Sequence, residues 1–89
     1  MELKDLRLKI NSIDKTMAEL FVERMEIVKQ VAEYKAKNNL PIEDCEREAK
    51  LLESNLKHIK NDELKEYYKK FLKDLMNISK EYQKELTRK

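Results

Sequence analysis

Along the first part of the chain, Leu3, Leu6, Ile10, Ile13, Met17, Leu20, Arg24, Ile27, Val31 and Tyr34 follow one another at steps alternating between three and four residues. Such spacing keeps every member on one side of an α-helix, and sustained this long it is a heptad seam. Asp5 near the start and Lys35 and Lys37 near the end suit the helix dipole. Asn38-Asn39 offers a left-handed stop just before Pro41, the only proline. The pattern predicts one helix over about residues 3–38.

That length constrains the assembly. Some 36 helical residues span roughly 54 Å at 1.5 Å each. A compact globule of this chain length has a radius of gyration near 12 Å, hence a diameter of about 30 Å. The helix must overhang its own domain, and the seam continues into the overhang. A second copy of the chain is the economical cover for it, which predicts an intertwined homodimer.

After the turn, Asp44 is placed to cap a second helix with Cys45, Ala49, Leu52, Leu56 and Ile59 on its apolar face. Lys57, His58 and Lys60 suit its C-terminal end. Asn61-Asp62 is the next cap signal. A third helix follows, with Leu64, Tyr67, Phe71, Leu75, Ile78, Tyr82 and Leu86 as its seam. No segment alternates as a strand does. The expected fold class is all-α, three helices per chain, one long and two shorter, in a single domain over residues 1–89.

Composition narrows the function. Twenty basic side chains face 18 acidic ones, a net charge of +2 on a chain that is 43% charged. This near-balance argues against a dedicated nucleic-acid binder, which concentrates positive charge. No apolar run approaches membrane-spanning length, and the N-terminus lacks the apolar block of a secretory signal. One Cys and one His argue against a disulfide framework and a conventional His/Cys metal site. The absence of Gly removes every glycine-rich phosphate loop. A cytoplasmic helical protein with no metal or cofactor is the expectation, with neither nucleic acid nor membrane as partner.

All but four of the basic side chains are Lys; the exceptions are Arg7, Arg24, Arg47 and Arg88. Arg suits two-pronged recognition of carboxylate or phosphate, whereas surface Lys chiefly confers solubility. Arg24 occupies a seam position among apolar neighbours, where an unpaired charge is costly. It requires an anion, either a protein carboxylate that sets helix register or a ligand. Lys35, eleven residues on, is rotated by only about 20° and displaced by about 16 Å, so the two can lean toward one small dianion. Taken alone, Lys35 also reads as a solvated residue at a helix end. Arg7 lies about 25 Å before Arg24 and a quarter-turn away, so it reaches the same ligand only from a partner subunit. Asp44, Arg47 and Glu48 have the i, i+3, i+4 spacing of a polar cluster, of which an N-cap with a surface ion pair is the plainer version. Ser79 and Gln83 flank the third seam, where polar residues are usually solvated. Cys45, His58, Tyr67, Tyr68 and Tyr82 read as structural.

The ordered set Leu6-Arg7-Leu8-Lys9-Ile10, Ile13-Asp14, Glu23-Arg24, Ala32-Glu33-Tyr34-Lys35, Pro41 through Glu48, and Ser79 with Gln83 closely resembles the all-helical bacterial chorismate mutases. The match covers nearly the whole chain, and its order and spacing make it specific. The resemblance implies an intertwined three-helix dimer with two shared active sites. It implies that Arg7 of one subunit, with Arg24 and Ser79 of the other, engages the carboxylates of chorismate, while Arg47 closes that pocket. Asp44 and Glu48 would contact the ring-hydroxyl side. Lys35 and Gln83 would face the ether oxygen of the breaking C–O bond. Members often carry the module fused to a dehydratase, dehydrogenase or synthase domain, whereas residues 1–89 correspond to the mutase module alone.

The chemistry implied by the resemblance suits these residues. Rearrangement of chorismate to prephenate is intramolecular and needs no nucleophile, metal or redox group. It needs a dicarboxylate held in a compact conformer and donors aimed at charge growing on one oxygen. Two other readings accommodate parts of the pattern. One is an isochorismate pyruvate-lyase of similar fold, against which the presence of Glu48, Ser79 and Gln83 together weighs. The other is a non-catalytic helical dimerisation module in which Arg24 only sets register.

Overall fold

A computed structural model describes residues 2–88. Three α-helices account for most of it: α1, Leu3–Lys37; α2, Cys45–Leu56; and α3, Asp62–Leu86. No strand occurs among the described residues. The expected all-α class and three-helix order are therefore observed, and α1 ends one residue before the sequence-based estimate.

Each helix begins or ends for a local reason. At the end of α1, Asn39 takes a left-handed conformation with φ of 55°. The Leu40 amide then donates to the Lys35 carbonyl at 2.8 Å, and the Asn39 amide to the Ala36 carbonyl at 3.4 Å. These bonds satisfy carbonyls that the helix itself leaves open, with Asn doing what Gly usually does. The Asp44 carboxylate accepts the Arg47 backbone N–H at 3.1 Å. It thereby caps α2. The Asn61 side chain accepts the Glu63 amide at 3.0 Å at the start of α3. Helix α2 stops at Leu56, with Lys57 as its C-cap, so Ile59 belongs to the turn that follows.

Packing within the chain is confined to one end of α1. Arg24 meets Ser79, and further along Ala32 and Ala36 share a groove with Leu86 and Thr87. The second half of α1 therefore runs parallel to α3, while α2 packs on α3 alone. Ala32, Leu72 and Met76 are the only buried apolar residues described. Alanine at position 32 lets the two backbones approach closely. The first half of α1 buries none of its side chains against the other described residues: Leu3, Leu6, Ile10, Ile13, Met17 and Leu20 are all exposed, Leu20 by 57%. The molecule is accordingly elongated, 54 × 26 × 15 Å, with a radius of gyration of 16.2 Å. A compact globule of the same chain length would measure about 12 Å by that radius.

On the third helix the apolar seam read from the sequence is not the stripe that its own chain buries. Leu72, Met76, Ser79 and Gln83 are buried, the last three of them along the cleft with α1, whereas Leu64, Tyr67, Phe71 and Ile78 are exposed. On α1, the residues turned toward the cleft with α3 are Arg24, Val28, Val31 and Lys35. Both sets step by four, three and four. Each helix thus presents a mixed polar and apolar stripe to the other and leaves its most apolar stripe uncovered by its own chain.

Candidate active site

Where these two stripes meet the start of α2, they enclose a cleft of about 160 Å³. Arg24 and Lys35 come from α1, Ser79 and Gln83 from α3. Asp44, Arg47 and Glu48 border it from the other side, with Ile42 of the connecting segment. Seven of the eight residues singled out from sequence therefore line one cleft. Arg7 is the exception, on the exposed first half of α1. The helical rise puts it about 25 Å from Arg24 along the axis.

The charge pattern of the cleft is unusual. Arg24 has no carboxylate within ion-pair distance among the described residues; its guanidinium donates to the Ser79 hydroxyl instead. Ser79 in turn donates to the Leu75 carbonyl at 2.8 Å. That carbonyl lies one helical turn back, the usual acceptor for a serine within a helix. This chain of bonds fixes where the guanidinium points. Lys35 donates to the Ile42 carbonyl at 2.9 Å and forms no ion pair. Its half-buried position corrects the reading of a solvated helix-end lysine. Two of its three donor directions stay available. Arg47 contributes its backbone amide to the Asp44 cap and leaves its guanidinium without a carboxylate partner. The surface ion pair expected within the Asp44, Arg47, Glu48 cluster does not form.

Three cations thus face one small space, and neither Asp44 nor Glu48, which also line it, forms an ion pair with any of them among the described residues. Burial holds the Arg24 pKa below its ordinary value, and the neighbouring Arg47 charge lowers it further. Both effects disfavour the charged form, and the charge of a bound anion would offset them. At the far side lies Gln83, only 7% exposed, whose amide oxygen is buried without a hydrogen-bond partner. A buried acceptor without a donor is costly for folding.

Ser79 and Gln83 had looked like solvated edge residues. At 5% and 7% exposure they are among the most buried side chains of α3, because this stripe rather than the apolar one packs on α1. Lys80 was missed. Its ammonium bridges Glu43 at 2.9 Å and Glu48 at 3.0 Å on the cleft wall. The one available signal was its spacing, three residues before Gln83 and hence about 60° around the helix from it. Its two partners come from the connecting segment and α2, so nothing local announced them.

The chain is thus all-helical, with a cleft that gathers three cations no described carboxylate pairs. Residues 6–84 match the family described as chorismate mutase type II, and the chain belongs to that family. Among curated relatives, a T-protein from Haemophilus influenzae is 36% identical over 77 residues, covering 81% of this chain and 20% of the relative. A bifunctional chorismate mutase/prephenate dehydratase from Buchnera aphidicola subsp. Schizaphis graminum is 48% identical over 52 residues, covering 58% and 14%. Its counterpart from Aquifex aeolicus is 43% identical over 56 residues, covering 63% and 16%. The chain spans at most about a fifth of the length of these relatives. No solved structure matches it. No helix is long and apolar enough to cross a membrane, among the described residues.

Because no carboxylate neutralises Arg24, its replacement by Leu should keep or raise the melting temperature, to within about 2 °C below the parent at worst. The same variant should lose affinity for a dicarboxylate ligand. Thermal unfolding monitored by circular dichroism, beside calorimetric titration, separates the two effects. A melting temperature lowered by about 8 °C or more would make Arg24 a structural residue.

Proposed function

We propose that this chain is a chorismate mutase, converting chorismate to prephenate by intramolecular rearrangement in the route to phenylalanine and tyrosine, in the cytoplasm, as a single domain over residues 1–89. The observation that carries the reading is the set of three cations, Arg24, Lys35 and Arg47, that line one cleft without an ion pair among the described residues. Family membership supplies the substrate.

In this reading Arg24 and Arg47 take the two carboxylates, and Ser79 exchanges its bond to Leu75 for one to substrate. Holding both carboxylates folds the enolpyruvyl side chain over the ring, which supplies the orientation that solution leaves to chance. As the C–O bond breaks and the new C–C bond forms, charge grows on the ether oxygen. Lys35 and the amide N–H of Gln83 meet that charge with donors already in place, so little reorganisation is needed during the reaction. Asp44 and Glu48 accept from the ring-hydroxyl side. No proton, electron or outside group is transferred, so the site requires neither a nucleophile nor a cofactor.

The same proposal includes an intertwined homodimer. The seam from Leu3 to Leu20 is uncovered by its own chain. A continuous exposed apolar face of this length is rare on a monomer, which supports the dimer. In such a dimer Arg7 of the partner subunit reaches the cleft and completes the carboxylate grip. An isochorismate pyruvate-lyase would use a related cleft, and a plain dimerisation module would leave Arg24 without a ligand. Incubation with chorismate and isochorismate separately, followed by ultraviolet absorbance, distinguishes the three: loss of chorismate with formation of prephenate supports the mutase.

Gln83→Glu should be active mainly in acid, its rate rising as pH falls from about 8 to about 5. A protonated carboxyl can donate to the ether oxygen, whereas an ionised one repels the developing charge and competes for Lys35. A flat rate profile across that range would remove Gln83 from the reaction.

Arg7→Ala and Arg24→Ala should each be nearly inactive, yet regain about a quarter of the parent activity when unfolded and refolded together. Half the random dimers are mixed, and each of those holds one site with both arginines and one with neither. Folding the variants separately before mixing should restore much less. Mixed dimers confirmed by mass but devoid of activity would show that Arg7 does not serve the partner's site.

A further inference from the structure

Glu48 is the carboxylate on the cleft wall best placed to spoil the anion site. It lines the same space as Arg24, Lys35 and Arg47, and any of these would offer it an ion pair. It makes none of them. Its Oε1 is held instead by the Lys80 ammonium at 3.0 Å, while Oε2 makes no hydrogen bond or ion pair among the described residues. The same ammonium holds Glu43 of the connecting segment at 2.9 Å. Lys80 and Glu48 are the more sheltered pair, with side chains 18% and 22% exposed, whereas Glu43 is half exposed. Each carboxylate also favours the charged ammonium, and the Lys80 pKa is raised accordingly.

We infer that Lys80 is a positioning residue of the site: it holds Glu48 away from the three substrate-binding cations and leaves one oxygen of Glu48 free for the substrate. The inference rests on the mutase reading and deepens it. Without Lys80, Glu48 is free to swing onto Arg24, Arg47 or Lys35. It then competes as an internal anion with the substrate carboxylates. The consequence falls on binding rather than on the chemical step, because substrate that does displace Glu48 meets the same Lys35 and Gln83. Glu43 ties the connecting segment to α3 but stands outside the competition, so its removal leaves the Lys80–Glu48 pair in place.

The test is a double-mutant cycle on the full chain, with chorismate saturation kinetics as the readout and circular dichroism as the folding control. Lys80→Met is expected to raise KM by about tenfold with kcat changed by less than about threefold. Lys80→Gln, made beside it, should behave alike and serves if the Met variant folds poorly. Lys80→Arg should restore KM, since it keeps the charge and both carboxylate contacts. In a Glu48→Gln background the Lys80→Met substitution should have little further effect on KM, because no carboxylate remains to compete. Glu43→Gln alone should leave KM within about twofold of the parent. If the parent turns over chorismate but Lys80→Met and Lys80→Gln leave KM unchanged, or raise it equally in both backgrounds, the inference is overturned and the mutase reading stands. A parent without activity on chorismate overturns the mutase reading, and the role of Lys80 with it.

Discussion

Arg24 stands on an apolar helix face and is held there by a hydroxyl rather than a carboxylate. Most of the site follows from that constraint. A carboxylate partner would satisfy the guanidinium and leave it little reason to bind anything else. The Ser79 hydroxyl orients it without cancelling its charge, and the bond from Ser79 to Leu75 keeps the hydroxyl in place. Burial and the nearby Arg47 then make the unliganded state electrostatically unfavourable. The fold tolerates this cost where α1 packs against α3.

Lys35, Arg47 and Gln83 extend the same principle. None of the three is held by a counter-ion among the described residues. Lys35 spans the end of α1 to the Ile42 carbonyl, Arg47 follows the Asp44 cap, and Gln83 is wedged on the α1–α3 stripe. Only the wall position occupied by Lys80 carries ion pairs. The cleft therefore holds free cations beside the one paired set, Lys80 with Glu43 and Glu48. Such an arrangement favours a small anion and gives it donors whose geometry is settled before it arrives.

The elongated shape bears on how the site is completed. The chain covers its polar, site-forming stripe by itself and leaves its apolar stripe open over the first half of α1. Arg7 lies on that open half. In the proposed dimer the burial that stabilises the assembly is also what delivers Arg7 to a neighbour's cleft, so folding, association and site completion would share one helix.

The three helices, their caps and the all-α class were legible in the sequence, because periodicity, Asn38-Asn39, Asp44 and Asn61 are local signals. So was the membership of the cleft on α1, since rotation along a helix is fixed by residue number: Arg24 and Lys35 had to share a face, and Arg7 had to lie beyond reach. What only the tertiary structure decided was the side of α3 that turns inward. A helix with an apolar stripe and a mixed stripe beside it can bury either one. The sequence marks Tyr67, Phe71 and Ile78 as the apolar seam, whereas the residues its own chain buries on α3 are Leu72, Met76, Ser79 and Gln83. The bridge from Lys80 to Glu43 and Glu48 lay out of sight for a related reason. Its partners sit far back in the chain, before and within α2. A contact across such a separation depends on how helices stack, which no helical periodicity encodes.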